Sequence, residues 1–187
     1  MTDNEKPVNN NALVKDLKHV VLYTDGGCIP NPGPGGYGVV LQYEKHRKEL
    51  SGGFRRTTNN RMEILAAIAG LEALKQPCRV TIYSDSQYLV HAIERGWAAR
   101  WRANGWWRNK EERAVNPDLW ERLLCHCEVH QVKFAWVRGH AGNKENERCD
   151  VLARRAALRS DLGIDHGYEG GQVMSSFTAE APRPGEL

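Results

Sequence analysis

Two short runs of β-favouring residues, Val20-Val21-Leu22-Tyr23-Thr24 and Arg79-Val80-Thr81-Ile82-Tyr83-Ser84, each lead straight into an aspartate, Asp25 and Asp85. Runs of this length and composition predict buried strands. Between them, Tyr37–Tyr43 and Leu50–Arg55 fit two further strands, separated by the charged Glu44–Lys48 as in a hairpin. Asn59–Leu74 then turns helical, with Met62, Leu65, Ala66, Ile68, Ala69 and Leu71 forming a broad apolar face. Beyond the second run the pattern alternates. Ser86–Glu94 reads as a helix ended by Gly96, Pro117–Glu128 as a helix with proline in its first turn, and Val132–Val137 as a strand. A loop over Gly139–Asn143 leads into an Ala/Arg-rich helix over Asn146–Ser160. Strands first, then alternating helix and strand, predict an α/β domain with one mixed sheet flanked by helices.

At 187 residues, 41% hydrophobic and 26% charged, the chain suits one ordinary domain with a sizeable core. The polar stretch 1–18 reads as a flexible N-terminal tail, and 161–187, with little apolar periodicity, as a flexible C-terminal one. That leaves 19–160 as the folded domain. Five cysteines without a disulfide framework, no secretory leader and no long apolar run predict a reduced, cytoplasmic protein with no membrane partner. Gly33-x-Gly35-x-x-Gly38 matches a dinucleotide fingerprint in letters only. Val39-Val40-Leu41 continues as a strand where the fingerprint needs a helix, so a tight turn entering a hairpin is the better reading.

Asp25 and Asp85 stand where strands are predicted to stop, and ligands gather at the carboxyl ends of strands in open sheets. Taken singly, Asp25 also suits a turn before Gly26-Gly27, and Asp85 a helix N-cap. Glu63 falls in the first turn of a helix and Asp150 in the last helix; spacing alone does not bring the four together. If they converge, their mutual repulsion calls for a cation, and an all-oxygen donor set selects magnesium or manganese over zinc. Two such ions can hold the attacking water and leaving oxygen of a displacement at phosphorus.

Four motifs carry a resemblance. Tyr23-Thr24-Asp25-Gly26-Gly27-Cys28 with Asn31-Pro32-Gly33-Pro34-Gly35-Gly36 resembles the opening strand and loop of bacterial type 1 ribonuclease H. Thr58-Asn59-Asn60-Arg61-Met62-Glu63 resembles its first helix start, and Ser84-Asp85-Ser86-Gln87-Tyr88 its third acidic motif. Trp136-Val137-Arg138-Gly139-His140-Ala141-Gly142, with Glu145-Asn146-Glu147-Arg148-Cys149-Asp150, resembles its closing loop and helix. In order along residues 19–157, these make a specific match. The resemblance implies a ribonuclease H-like fold: a five-stranded mixed sheet, its first three strands antiparallel. It implies that Asp25, Glu63, Asp85 and Asp150 hold two Mg2+ ions, with Mn2+ as a substitute, and that His140 aids proton transfer or product departure. The implied activity is endonucleolytic hydrolysis of the RNA strand of RNA–DNA hybrids by a monomer, leaving 5′-phosphate and 3′-hydroxyl ends. The competing readings are a catalytically idle hybrid- or duplex-binding module and, ranked last, a transposase- or integrase-type domain.

For the substrate, the resemblance implies RNA-strand contacts from Cys28, Asn31, Asn59, Asn60 and Gln87, and a grip on a DNA phosphate from Thr58 and Asn31. The chemistry suits amides and backbone N–H groups, which can read minor-groove edges and 2′-hydroxyls. Residues 95–116 resemble the family's basic protrusion. Over 95–110 they interleave five basic residues with four of the chain's six tryptophans and no acid. Trp97 and Trp101 suit packing, while Arg100, Arg102, Arg108 and Lys110 suit phosphate contact.

Overall fold

The computed structural model describes residues 17–139 and 141–170. Most of the predicted N-terminal tail, His140, and the chain from residue 171 lie outside the described residues. Val20, Leu22 and Thr24 are buried at alternate positions of β1 (His19–Cys28), as a strand between two packed layers requires. β1 pairs antiparallel with β2 (Gly33–Tyr43), which pairs antiparallel with β3 (His46–Thr57). On its other side β1 runs parallel to β4 (Arg79–Ser84), and β4 parallel to β5 (Gln131–Trp136). The order β3-β2-β1-β4-β5 is the mixed sheet read from the sequence, with its first three strands antiparallel.

The helices are α1 (Asn59–Glu72), α2 (Gln87–Glu94), α3 (Trp97–Ala103), α4 (Pro117–Val129) and α5 (Lys144–Ala157). α1 is apolar almost all round because it is enclosed by the sheet and by α4. Met62, Ile64, Ile68 and Leu71 are 0% exposed and contribute about 1.5–3 kcal/mol each by burial. Packing therefore outweighs the Thr58 N-cap, worth about 1 kcal/mol. α5 takes the opposite face. On β2, Val39 faces Gly70 of α1, whereas Gly36 and Gly38 lie against the α5 backbone at Ala153 and Cys149. Side chains at those two positions would overlap helix carbonyls, so these glycines permit close helix-to-sheet contact rather than phosphate binding.

Two expectations are corrected. β1 does not stop at Asp25-Gly26-Gly27 but pairs with β2 as far as Cys28. Nor is the chain beyond α5 a flexible tail from residue 161. Through residue 170 it folds back on the domain: Arg55 N–H donates to the Gly163 carbonyl (2.9 Å), Arg55 pairs with Glu169 (2.8 Å), and Asp165 is buried. Its anchors are polar and widely spaced, so apolar periodicity carried no trace of them. We call 161–170 the strap.

Candidate active site

Strand register does most of the work of assembling the acids. In the parallel β1–β4 pair Thr24 stands beside Ser84, so Asp25 and Asp85 follow as neighbours at the same end of the sheet. Asp85 is not the N-cap of α2; Ser86 is, accepting from Leu89 N–H at 3.3 Å. The Asp85 carbonyl accepts from Trp136 Nε1 (3.0 Å), which holds the chain there against β5. Glu63 joins from α1 because Gly26 has no side chain: a Cβ there would lie 2.5 Å from Glu63 N and overlap the Met62 backbone. Asp25, Glu63 and Asp85 thus each bring a carboxylate oxygen within 4.8 Å of the others.

Asp150 completes the cavity without joining the trio. Asp25 pairs with Gly38, Gly38 lies under the Cys149 carbonyl, and Asp150 follows on α5 over the same spot. Its carboxylate is turned to Arg154 one helical turn on, at 2.8 Å. Sequence reasoning missed Arg154, although an acid and an arginine four apart on a helix are a readable pair. Both residues line a cavity of about 450 Å³ with Asp25, Glu63, Cys28 and Asn59.

Burial first, and then the charges of Asp85 and Asp150, push the Asp25 carboxyl up to about 7, against weaker lowering by Gly26 N–H and Arg154. Burial, with Asp25 and Asp85 beside it, raises Glu63 well above the ordinary carboxylate range. Glu63 Oε2 is buried without a hydrogen-bond partner among the described residues. A buried, unsatisfied carboxylate oxygen among like charges is costly unless a cation completes it. The donor set, oxygens only, fits a hard divalent ion.

Beside the acids, Asn59 Oδ1 accepts from Cys28 N–H (2.8 Å) and the Cys28 thiol (3.2 Å), while Asn59 N–H donates to Asn31 Oδ1 (3.2 Å). Cys28, Asn31 and Asn59 therefore form one platform. Since Thr58 caps α1, neither Asn59 nor Asn60 does, and Asn60 and Gln87 are exposed. In the 95–116 segment, Trp101 packs edge-on against Trp120 (6.0 Å) and Trp97 against His91 (6.0 Å). Arg102 donates to Glu128 at 2.6 Å and lies 3.7 Å from Glu121, two α4 acids that spacing within the segment could not reveal. Arg100 and Arg108 line a separate surface hollow with Trp101 and Trp107.

An open mixed sheet with a carboxylate cluster at the C-terminal ends of its parallel strands defines an α/β protein whose clustered acids could hold a hard cation. The ribonuclease H ("RNase H") family model matches residues 2–158, which leaves the strap outside it. Ribonuclease H of Syntrophus aciditrophicus is 72% identical over 162 residues, covering 87% of this chain and 94% of the relative. Ribonuclease HI of Synechocystis sp. is 57% identical over 150 residues, covering 80% and 94%. Among solved structures, LC9-RNase H1 superposes with a TM-score of 0.69 at 31% identity, covering 90% of this chain and 87% of that one. LC11-RNase H1 in complex with an RNA/DNA hybrid gives 0.58 at 25% identity, covering 74% and 96%. The chain belongs to the ribonuclease H family of endoribonucleases.

Proposed function

We propose that this protein hydrolyses the RNA strand of RNA–DNA hybrids endonucleolytically by a two-metal-ion mechanism, leaving 5′-phosphate and 3′-hydroxyl ends. The observation that carries the reading is the convergence of Asp25, Glu63 and Asp85, with Glu63 Oε2 buried and unpartnered among the described residues. These three, with Asp150 turning from Arg154, would hold Mg2+, or Mn2+ in its place. When bound, such ions supply charge stabilisation at a scissile phosphate and activation of water. The chain's own side chains do the rest. Cys28, Asn31, Asn59, Asn60 and Gln87 orient the RNA strand through minor-groove edges and 2′-hydroxyls, the group that distinguishes RNA from DNA. Thr58 with Asn31, and Arg100, Arg108 and Lys110 on the protrusion, hold phosphates of the DNA strand. His140, next to Gly139 in the sequence, aids proton transfer or product departure.

One chain supplies every acid, which supports action as a monomer, and the five cysteines are unpaired thiols, as a reducing cytoplasm maintains. No helix among the described residues is long and apolar enough to cross a membrane. An idle binder has no use for concentrated negative charge facing a polyanion. The test is cleavage of an end-labelled hybrid with Mg2+ or Mn2+, then with excess chelator. Cutting of the RNA strand that stops on chelation is the expected result. No cutting with either ion refutes the reading, and cutting that persists in chelator refutes its metal dependence.

A further inference from the structure

The strap reaches the active site from behind. Asp165 is 3% exposed and its carboxylate accepts four hydrogen bonds: from Arg61 Nε (2.7 Å) and Nη2 (2.8 Å), from the Thr57 hydroxyl (2.7 Å), and from Tyr168 N–H within the strap (3.3 Å). Thr57 ends β3, Thr58 caps α1, and Arg61 lies in the helix's first turn. One carboxylate from the strap thus fastens the last residue of a strand to the first turn of the next helix. The Arg61 guanidinium is held on its other side by Asp118, through Nη1 (2.9 Å) and Nη2 (2.6 Å). With two carboxylates forked onto one planar group, it cannot turn without breaking a fork.

What this joint carries decides its meaning. At 3.6 residues per turn, Arg61 and Glu63 project about 200° apart around the helix, whereas Asn59 and Glu63, four apart, share a face. The back of the first turn is clamped by the strap; its front presents Glu63 to Asp25 and Asp85, and Asn59 to Cys28. Among the described residues no side chain bonds Glu63 Oε2, so placement of Glu63 depends on where the helix sits.

We infer that Asp165 is a positioning residue for the reaction: through Arg61 and Thr57 it fixes the β3–α1 joint, and with it the placement of Glu63 and Asn59. This rests on Glu63 being a cation ligand. Asp118, 43% exposed, does not substitute for it, because it grips Arg61 from α4 and makes no bond to β3. The strap is thereby a working part of the site rather than an appendage.

The test uses the full chain with Asp165→Ala and the milder Asp165→Asn, which keeps an acceptor oxygen. Val80→Ala, at the opposite end of β4 from Asp85, serves as a control that weakens the core alone. Mg2+ binding is measured calorimetrically without substrate, and hybrid cleavage kinetics well below each variant's melting temperature. Loss of an outer partner of a metal ligand typically weakens metal affinity or activity about 10–100-fold. Asp165→Ala should weaken Mg2+ binding by about tenfold, at the lower end of that range. It should also lower kcat through Glu63 and raise KM through Asn59. Asp165→Asn should fall between it and the wild type, and Val80→Ala should lower Tm while moving neither affinity nor kinetics. If Asp165→Ala, or Asp165→Asn should the alanine variant not fold, loses only Tm as Val80→Ala does, the inference is overturned. Should the wild type bind no Mg2+, the functional reading falls and takes this inference with it; wild-type binding unchanged in the variants overturns this inference alone.

Discussion

Two groups of carboxylates flank the first turn of α1, and they are built on opposite terms. Behind the helix, Asp165 and Asp118 close on Arg61, the deeper pair 3% and 4% exposed, with the Asp165 oxygens bonded to Arg61 and Thr57. In front, Asp25, Glu63 and Asp85 crowd together, and the cationic influence of Arg154 is too weak to keep Asp25 from rising to about 7. The rear cluster carries its own cation. The front one would be relieved by a proton or by a cation from solution, and that difference separates a structural joint from a candidate binding centre.

Neutralising one member should therefore act in opposite ways on the two sides. Asp25→Asn should cut hydrolysis of a labelled hybrid by about three orders of magnitude or more, about 4 kcal/mol of barrier, while leaving hybrid affinity largely intact. Near-normal turnover would remove Asp25 from the centre. At the rear, Arg61→Ala leaves Asp165 buried without its counter-charge. Breaking such pairs costs about 3–5 kcal/mol, and the exposure of Asp118 favours the lower end, about 3 kcal/mol in a urea titration. A loss below about 1 kcal/mol, the usual worth of a surface pair, would erase the distinction between the clusters.

The pH dependence sharpens the contrast. Asp25 titrates near 7 in the folded chain against an ordinary 3.8, so folding favours its protonated form. That contribution is fully present below about 4 and is lost as pH rises through 7, with Glu63 shifted in the same direction. In chelator, this term should lower Tm between pH 5 and 8, and Asp25→Asn should flatten that fall and raise Tm at pH 8. Added Mg2+ should raise the wild-type Tm more at pH 8 than at pH 5, because protons and cation compete for the same oxygens. An equal Mg2+ effect at both pH values would contradict a carboxylate-only site.

How far the sequence revealed this depended on the kind of signal. Strand pattern and four local motifs carried the sheet and singled out the acids as candidates, because each motif is local to one strand, loop or helix. The adjacency of Asp25 and Asp85 needed the parallel register, and the approach of Glu63 needed the missing side chain at Gly26. Asp165 was invisible for a different reason. It lies 104 residues from Arg61, in a stretch without hydrophobic period, and acquires its role only through a long-range ion pair. The partners of Arg102 were hidden in the same way, since its acids come from α4.

That last point yields the finest prediction. Each phosphate neutralised steepens the dependence of log affinity on log salt by about 0.9 on B-DNA, so an arginine free to reach the backbone should be countable from the slope. Arg102 is already held by Glu128 at 2.6 Å, and transferring it to a phosphate would first have to break that pair. Arg100 and Arg108 line an open hollow, where Arg108 lies 3.7 Å from Glu112 and over the Trp101 ring at 5.8 Å from its centroid. Arg100→Ala and Arg108→Ala should each flatten the slope by about one unit, and Arg102→Ala by clearly less, in binding titrations with the catalytically silenced Asp25→Asn background. Equal changes at all three positions would mean that substrate breaks the Arg102–Glu128 pair, and that surface acids do not decide which cations of the protrusion touch the DNA.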